Sequence, residues 1–189
     1  MSRVKSFIWL CLIGYSSILF ASDKQQLGLW YTGSNPDYKP FQTEHGVAVS
    51  YDYFNDASLM FKFKHNDTDF LGSGPEVGGV SFTSWTELGA GYQLNSILNG
   101  LYVYASYTSV QSDQGDFNGP GIHVGYNVQL TQNIDARIQV GQIDTNFFDV
   151  QLEGQLNYQF SDSFAVSFAL RDHHDWDHTS YQVGALYRF

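Results

Sequence analysis

The sequence predicts an all-β protein, an antiparallel up-and-down transmembrane β-barrel of ten strands, with eight as the alternative count. Three observations carry this. First, apolar and polar side chains alternate with period two through the chain after residue 21, the signature of strands with two unlike faces. Second, most of the alternating runs span about nine to 13 residues, the reach of a tilted strand across a bilayer. Third, aromatic residues make up 17% of the chain, with 13 Tyr and 15 Phe, and gather at the run ends. Aromatic girdles sit at the two membrane interfaces of such barrels. A soluble sandwich would alternate too, but its strands need be neither so long nor so capped with rings.

Composition narrows the choice further. No run reaches about 18 apolar residues, so a helical membrane protein is excluded. Charged residues are 15% of the chain, against about 25% in a soluble domain. The net charge of −10 argues against nucleic acid, whose phosphates require a basic face.

Residues 1–21 read as a secretory signal peptide. Arg3 and Lys5 form a basic start, residues 7–20 are mostly apolar, Ala21 and Ser22 are small, and the chain turns polar at Asp23. Cleavage is expected after Ala21 or Ser22, leaving residues 22–189 as the barrel. Cys11, the only cysteine, leaves with the leader, and bulky Trp9 and Leu10 before it fit a lipid-anchor box badly. The mature chain then has no disulfide and no thiol site. Without Arg3 and Lys5 the charge of −10 becomes −12.

The strands follow in order. The first ascending strand, residues 27–33, is short; if it only capped the barrel the count would fall to eight. The chain descends to Tyr51, Tyr53 and Phe54 and turns at Asn55-Asp56. It rises over 58–66 and descends to Tyr92 and Leu94, before Asn95-Ser96. It rises over 101–110 and descends through Ile122, Val124, Tyr126, Val128 and Leu130, before Thr131-Gln132-Asn133. It rises over 134–144 on Ile134, Ala136, Ile138 and Val140. The clearest run is 148–160, where Phe148, Val150, Leu152, Leu156, Tyr158 and Phe160 oppose Asp149, Gln151, Glu153, Gln155, Asn157 and Gln159. After Ser161-Asp162 the chain rises over 164–172 and ends in the strand 181–189. Long outer loops are expected at 34–45, 67–84, 111–119 and 173–179, and a short one at 145–146. Short turns on one side and longer loops on the other form the outer-membrane pattern.

Alternation turns Asp52, Glu87, Asp135, Asp149 and Glu153 inward, together with Lys62, Lys64, Arg137, Arg171 and Arg188. Five acids against five bases suit a closed interior, because buried charges must pair. A small barrel is filled by its side chains, so a packed, salt-bridged lumen is expected, with a narrow ion path as the alternative. Asp37, Glu44, Asp67, Asp69, Glu76, Asp113, Asp116, Asp172, Asp175 and Asp177 map to the outer loops or their edges, giving an acidic outer face that would attract divalent cations or basic partners. His45, His65, His123, His173, His174 and His178 all fall in the outer half. In residues 172–178, His173, His174 and His178 lie among Asp175 and Asp177, a candidate divalent-cation site, since imidazole and carboxylate suit Zn²⁺, Cu²⁺ or Ni²⁺.

The last strand, Tyr181-Gln-Val-Gly-Ala-Leu-Tyr-Arg-Phe189, ends in Phe with aromatic or apolar residues at every second position before it. It resembles the terminal signal by which bacterial outer-membrane proteins are recognised by the barrel assembly machinery. With that terminus and the alternation of residues 22–189, the chain resembles small OmpA-like or opacity-type porin-family barrels, many of which have eight strands. The resemblance implies the outer membrane of a Gram-negative bacterium, reached after secretion through the inner membrane. It also implies outer-membrane lipid, lipopolysaccharide and the assembly machinery, through Phe189, as partners. It implies no specific activity and no cofactor. Two outer-membrane hydrolases offer weaker likenesses. Asp67, Asp69, Asp172 and His174 resemble in spacing the acid pairs of omptin proteases, which could activate water, but the surrounding motif is missing. His178-Thr-Ser180 resembles the His-x-Ser of lipid A deacylases, without a nearby downstream Glu. The sequence therefore points to a non-enzymatic barrel that is structural or presents acidic loops.

Overall fold

A computed structural model describes residues 24–36, 44–55, 57–67, 76–77, 80–112, 115–145, 148–176 and 178–189. The strands are β1 (Lys24–Pro36), β2 (Glu44–Phe54), β3 (Leu59–Asp67), β4 (Glu76–Val77), β5 (Val80–Gln93), β6 (Leu101–Ser112), β7 (Gly115–Gln129), β8 (Ile134–Asp144), β9 (Phe148–Gln159), β10 (Phe164–His173) and β11 (His178–Arg188). β4 has two residues and pairs only with the start of β5. The other ten form a closed antiparallel barrel, each bonded to its neighbours in the chain. β3 joins β5, and β1 joins β11 in register from Gln26↔Arg188 to Pro36↔His178. The ten-strand expectation holds and the eight-strand alternative falls away.

The first strand is longer than the alternation suggested: it runs over 13 residues, Lys24–Pro36, and is paired along both edges. Its ends, Lys24-Gln25-Gln26 and Ser34-Asn35-Pro36, carry no alternation of apolar and polar residues in the sequence, so period two is lost there although the backbone stays extended. Tight turns close one end of the barrel. Asn55 Oδ1 accepts the backbone N–H of Leu59, Thr131 Oγ1 accepts those of Asn133 and Ile134, and Ser161 Oγ accepts that of Phe164. These are side-chain turn bonds of the Asx and Ser/Thr kind. Gln25 and Phe189 exchange backbone bonds at the same end, so both described chain ends lie there.

Two of the expected outer loops are corrected. Residues 111–112 and 115–119 are strand, not loop: β6 and β7 stay paired there, with Val110↔Phe117 and Ser112↔Gly115 in register. A hairpin standing above the membrane meets water on both faces, so it need not alternate. Residues 173–179 are also shorter as a connection. His173 ends β10, a single 3-10 turn covers His174–Trp176, and His178 begins β11.

The burial pattern is inverted relative to a soluble protein. Leu29, Leu88, Ile138, Val140, Leu152, Leu156, Val166, Phe168, Leu170 and Val183 are exposed on the outside. Buried positions hold Thr32, Ser50, Asp52, Glu87, Ser106, Thr108, His123, Gln139, Gln151, Glu153, Asn157 and Arg171. Isolated exposed apolar residues are ordinary, but a continuous apolar band is not. A belt of this kind fits lipid, where a closed barrel is the strand architecture that satisfies every backbone group. Tyr92, Tyr158, Phe160, Phe164, Tyr187 and Phe189 ring the tight-turn end, while Tyr31, Tyr107 and Phe148 stand towards the other. Phe164 stacks on Phe160 and meets Tyr187 at a tilt, with centroids 6.2 and 4.9 Å apart, which makes the lower girdle a connected aromatic seam.

Candidate functional site: the barrel lumen

The lumen follows from strand parity. Since inward residues come every second position, charges on β2, β3, β5, β8, β9 and β10 meet at mid-height. Arg137 donates from both terminal nitrogens to Asp52 Oδ2, at 3.1 and 3.2 Å, and from Nε to Asn127 at 3.1 Å. Arg171 Nε donates to Glu153 at 2.7 Å, with a second guanidinium contact to the same oxygen, and lies 3.9 Å from Glu87. Lys64 is 3.6 Å from Glu153. Lys62 donates to Gln139 at 3.2 Å and lies 4.8 Å from the centroid of the Tyr104 ring, a cation–π contact.

Neutral groups knit this charge layer together. Tyr104 donates its hydroxyl to Glu87 at 2.9 Å, Tyr102 donates to Gln139 at 3.0 Å, and Gln139 donates to Tyr104 at 2.9 Å. The His123 ring stacks on Tyr104 with centroids 4.4 Å apart, and its Nε2 meets Ser106 at 2.9 Å. The space left among Asp52, Lys62, Lys64, Glu87, Glu153 and Arg171 is about 20 Å³, room for about one water.

Beneath the layer, at the tight-turn end, a cavity of about 800 Å³ is lined by Gln26, Asn127, Asp135, Asn157, Gln159 and Arg188 among others. Arg188 lies 3.1 Å from Asp135, which also accepts from Asn157 and Gln159. Above the layer, His173 Nδ1 is 2.7 Å from Asp149, Gln151 sits beside both, and the His173 ring meets Trp85 edge-on at 5.1 Å.

All ten charges assigned inward by alternation are in the lumen, and they pair largely with one another. Asp149 differs, because its ion-pair partner is His173. Tyr102, Tyr104 and His123 were not anticipated as lumen residues. Strand parity carried the signal: Tyr102, Tyr104, Ser106 and Thr108 share one face of β6. Tyr suits the lipid interface and the lumen alike, so the residue type alone assigns Tyr102 and Tyr104 to neither side.

Of the five candidate cation residues, the described side chains are His173, His174 and Asp175. His173 turns into the lumen, His174 and Asp175 are exposed, and Asp175 accepts the Val150 backbone N–H at 3.1 Å. Asp177 lies outside the described residues, as does the side chain of His178. Among the described residues no group of three or more His, Cys, Asp or Glu could hold a metal ion. Asp172 accepts the Thr179 hydroxyl at 3.0 Å, while Asp69 falls outside the described residues.

No family model and no curated protein matches the sequence. Solved structures with a similar fold include the KdgM porin in complex with disordered oligogalacturonate, at 10% identity and a TM-score of 0.49, covering 86% of this chain and 99% of that one. A designed transmembrane β-barrel shares 11% identity with a TM-score of 0.41, covering 87% of this chain and 95% of the design. A mutant porin of Rh. blastica shares 17% identity with a TM-score of 0.38, covering 77% of this chain and 45% of the porin. The transmembrane barrel reading rests on the strand pairing and the inverted burial described above.

Proposed function

We propose that the chain is a non-enzymatic integral barrel of a Gram-negative outer membrane, with a lumen that is closed to solutes and a role exercised at its outer face. The observation that carries this is the mid-height charge layer, which leaves about 20 Å³ between its side chains. A solute path needs a continuous bore, and here two guanidinium groups and the Lys64 ammonium are held across it by carboxylates, and the Lys62 ammonium by the Gln139 amide oxygen. Such a network is costly to form in lipid unless each charge is matched, which favours a fixed plug over a mobile one. The acidic outer segments support a surface role by attracting cations or basic partners.

The test is conductance of the refolded full chain in planar bilayers. Closed behaviour, with no stable open steps at moderate voltage, is expected. Large, lasting open states would overturn the proposal and favour a channel fed by the lower cavity.

A further inference from the structure

One connection at the tight-turn end differs in chemistry from the rest. Residues 55–58, 131–133 and 161–163 hold only Asn, Asp, Ala, Ser, Thr and Gln, whereas residues 94–101 read Leu-Asn-Ser-Ile-Leu-Asn-Gly-Leu. Ile97 is 74% exposed, the most of any large apolar side chain among the described residues, and Leu98 is 50% exposed.

Backbone bonds give this segment two unlike sides. The N–H groups of Ile97 and Leu98 both donate to the Leu94 carbonyl, at 2.9 and 3.0 Å, and wind a single helical turn. Residues three and four apart on such a turn are neighbours, so Ile97 and Leu98 lie on the side of Leu94. Leu94 continues the outward parity of Leu88 and Tyr92 on β5, and its N–H donates to Leu101, which has the outward parity of β6. The asparagines take the other side. Asn95 and Asn99 line the lower cavity, and Asn95 Nδ2 donates to Gln93 at 3.2 Å. The turn is also held in place. Asn95 Oδ1 accepts the Gly100 N–H at 3.1 Å, and the Gly100 carbonyl accepts the Asn127 N–H at 2.9 Å. Gly100 has φ +92°, a conformation natural to glycine. On the neighbouring strand, Leu130 directly follows β7, keeps the outward parity of Ile122 and Val124, and is exposed like them.

We propose that Leu94, Ile97, Leu98 and Leu130 form a lipid-binding foot, seated among the acyl chains of the leaflet at the tight-turn end. Continuity names the occupant. The foot joins the lipid belt through Tyr92 and Leu101, and residues 88–103 contain no charged side chain to hold this part of the chain in water. A surface with one apolar and one polar side settles at the boundary of headgroups and acyl chains. The other three turns are polar, so the apolar footprint reaches further on the β5–β7 side of the ring than elsewhere. The inference rests on the transmembrane barrel and not on whether its lumen conducts.

The test uses the full chain carrying Cys11→Ser, which leaves no other cysteine, refolded into phosphatidylethanolamine–phosphatidylglycerol vesicles. A bimane label is placed singly at Ile97→Cys, at Asp162→Cys on an exposed polar turn, and at Leu88→Cys in the belt. Quenching by nitroxide carried on the acyl chains is compared with quenching by aqueous iodide. At positions 97 and 88 the acyl nitroxide should quench several-fold more than iodide, and at position 162 the order should reverse. A label at 97 that behaves like the one at 162, while 88 reports lipid, would overturn the foot and leave the barrel standing. Shielding of 97 from both quenchers would also overturn it, in favour of a protein partner or a second copy of this chain. An aqueous label at 88 would remove the barrel from the bilayer, and the foot with it.

Discussion

Arg137 and Asp52 are joined by two hydrogen bonds, and Asp52 is only 5% exposed. Arg137→Met keeps much of the side-chain volume but strands that carboxylate. Breaking a buried pair from one side costs about 3–5 kcal/mol, so a comparable loss is expected in urea unfolding of the refolded barrel. Adding Asp52→Leu to Arg137→Met should recover much of it, because two apolar groups leave no orphaned charge. Two glycines make a second residue-scale contrast. A Cβ on Gly119 would lie 1.6 Å from the Asp144 carbonyl oxygen, whereas at Gly154 nothing stands within 4 Å. Gly119→Ala should destabilise by about 1–3 kcal/mol through overpacking. Gly154→Ala, on the lipid-facing side of β9, should stabilise by about 0.5–1 kcal/mol by restricting the unfolded chain. Paired unfolding curves check both signs.

At the scale of the strand, β11 carries the burden of closure. Phe189 sits in the aromatic seam with Tyr187, centroids 5.4 Å apart, and its backbone bonds to Gln25. Deleting Phe189 should reduce the fraction that refolds to a heat-modifiable form on gels, and Phe189→Tyr should largely restore it. The strands were legible in the sequence wherever one face met lipid and the other the polar lumen, as in β9, because that contrast writes period two into the residues. Legibility failed where the surroundings became uniform. β6 and β7 above the bilayer are wet on both faces, so their hairpin read as a loop, and the polar ends of β1 read as flanks. The lumen charges were legible for the same reason as β9. His173 was not, because its place in a dense run of His and Asp suggested a loop, while parity with Arg171 and Ala169 on β10 turns it inward.

For the whole molecule, the inverted burial makes a prediction about partition. The mature chain should fractionate with the outer membrane after detergent extraction of inner-membrane proteins. It should migrate faster unboiled than boiled, because a closed barrel resists detergent unfolding. Recovery as a soluble periplasmic species would contradict the exposed belt of Leu29, Leu88, Leu152 and Val183.

The seam between β1 and β11 has a consequence for how the molecule comes into being. Arg188 and Gln26, bonded across it, are 162 positions apart in the chain, while the other pairings of the barrel link successive long strands. Hairpins can therefore accumulate one after another, each closing a short loop at modest entropic cost. The last seam cannot form until the final strand has arrived, and until then the growing sheet carries two bare edges. Bare edges invite pairing with other chains, so an interrupted or shortened chain is an adhesive object and not merely a smaller barrel. Survival of the product depends on sheltering those edges during the interval before the ring is complete.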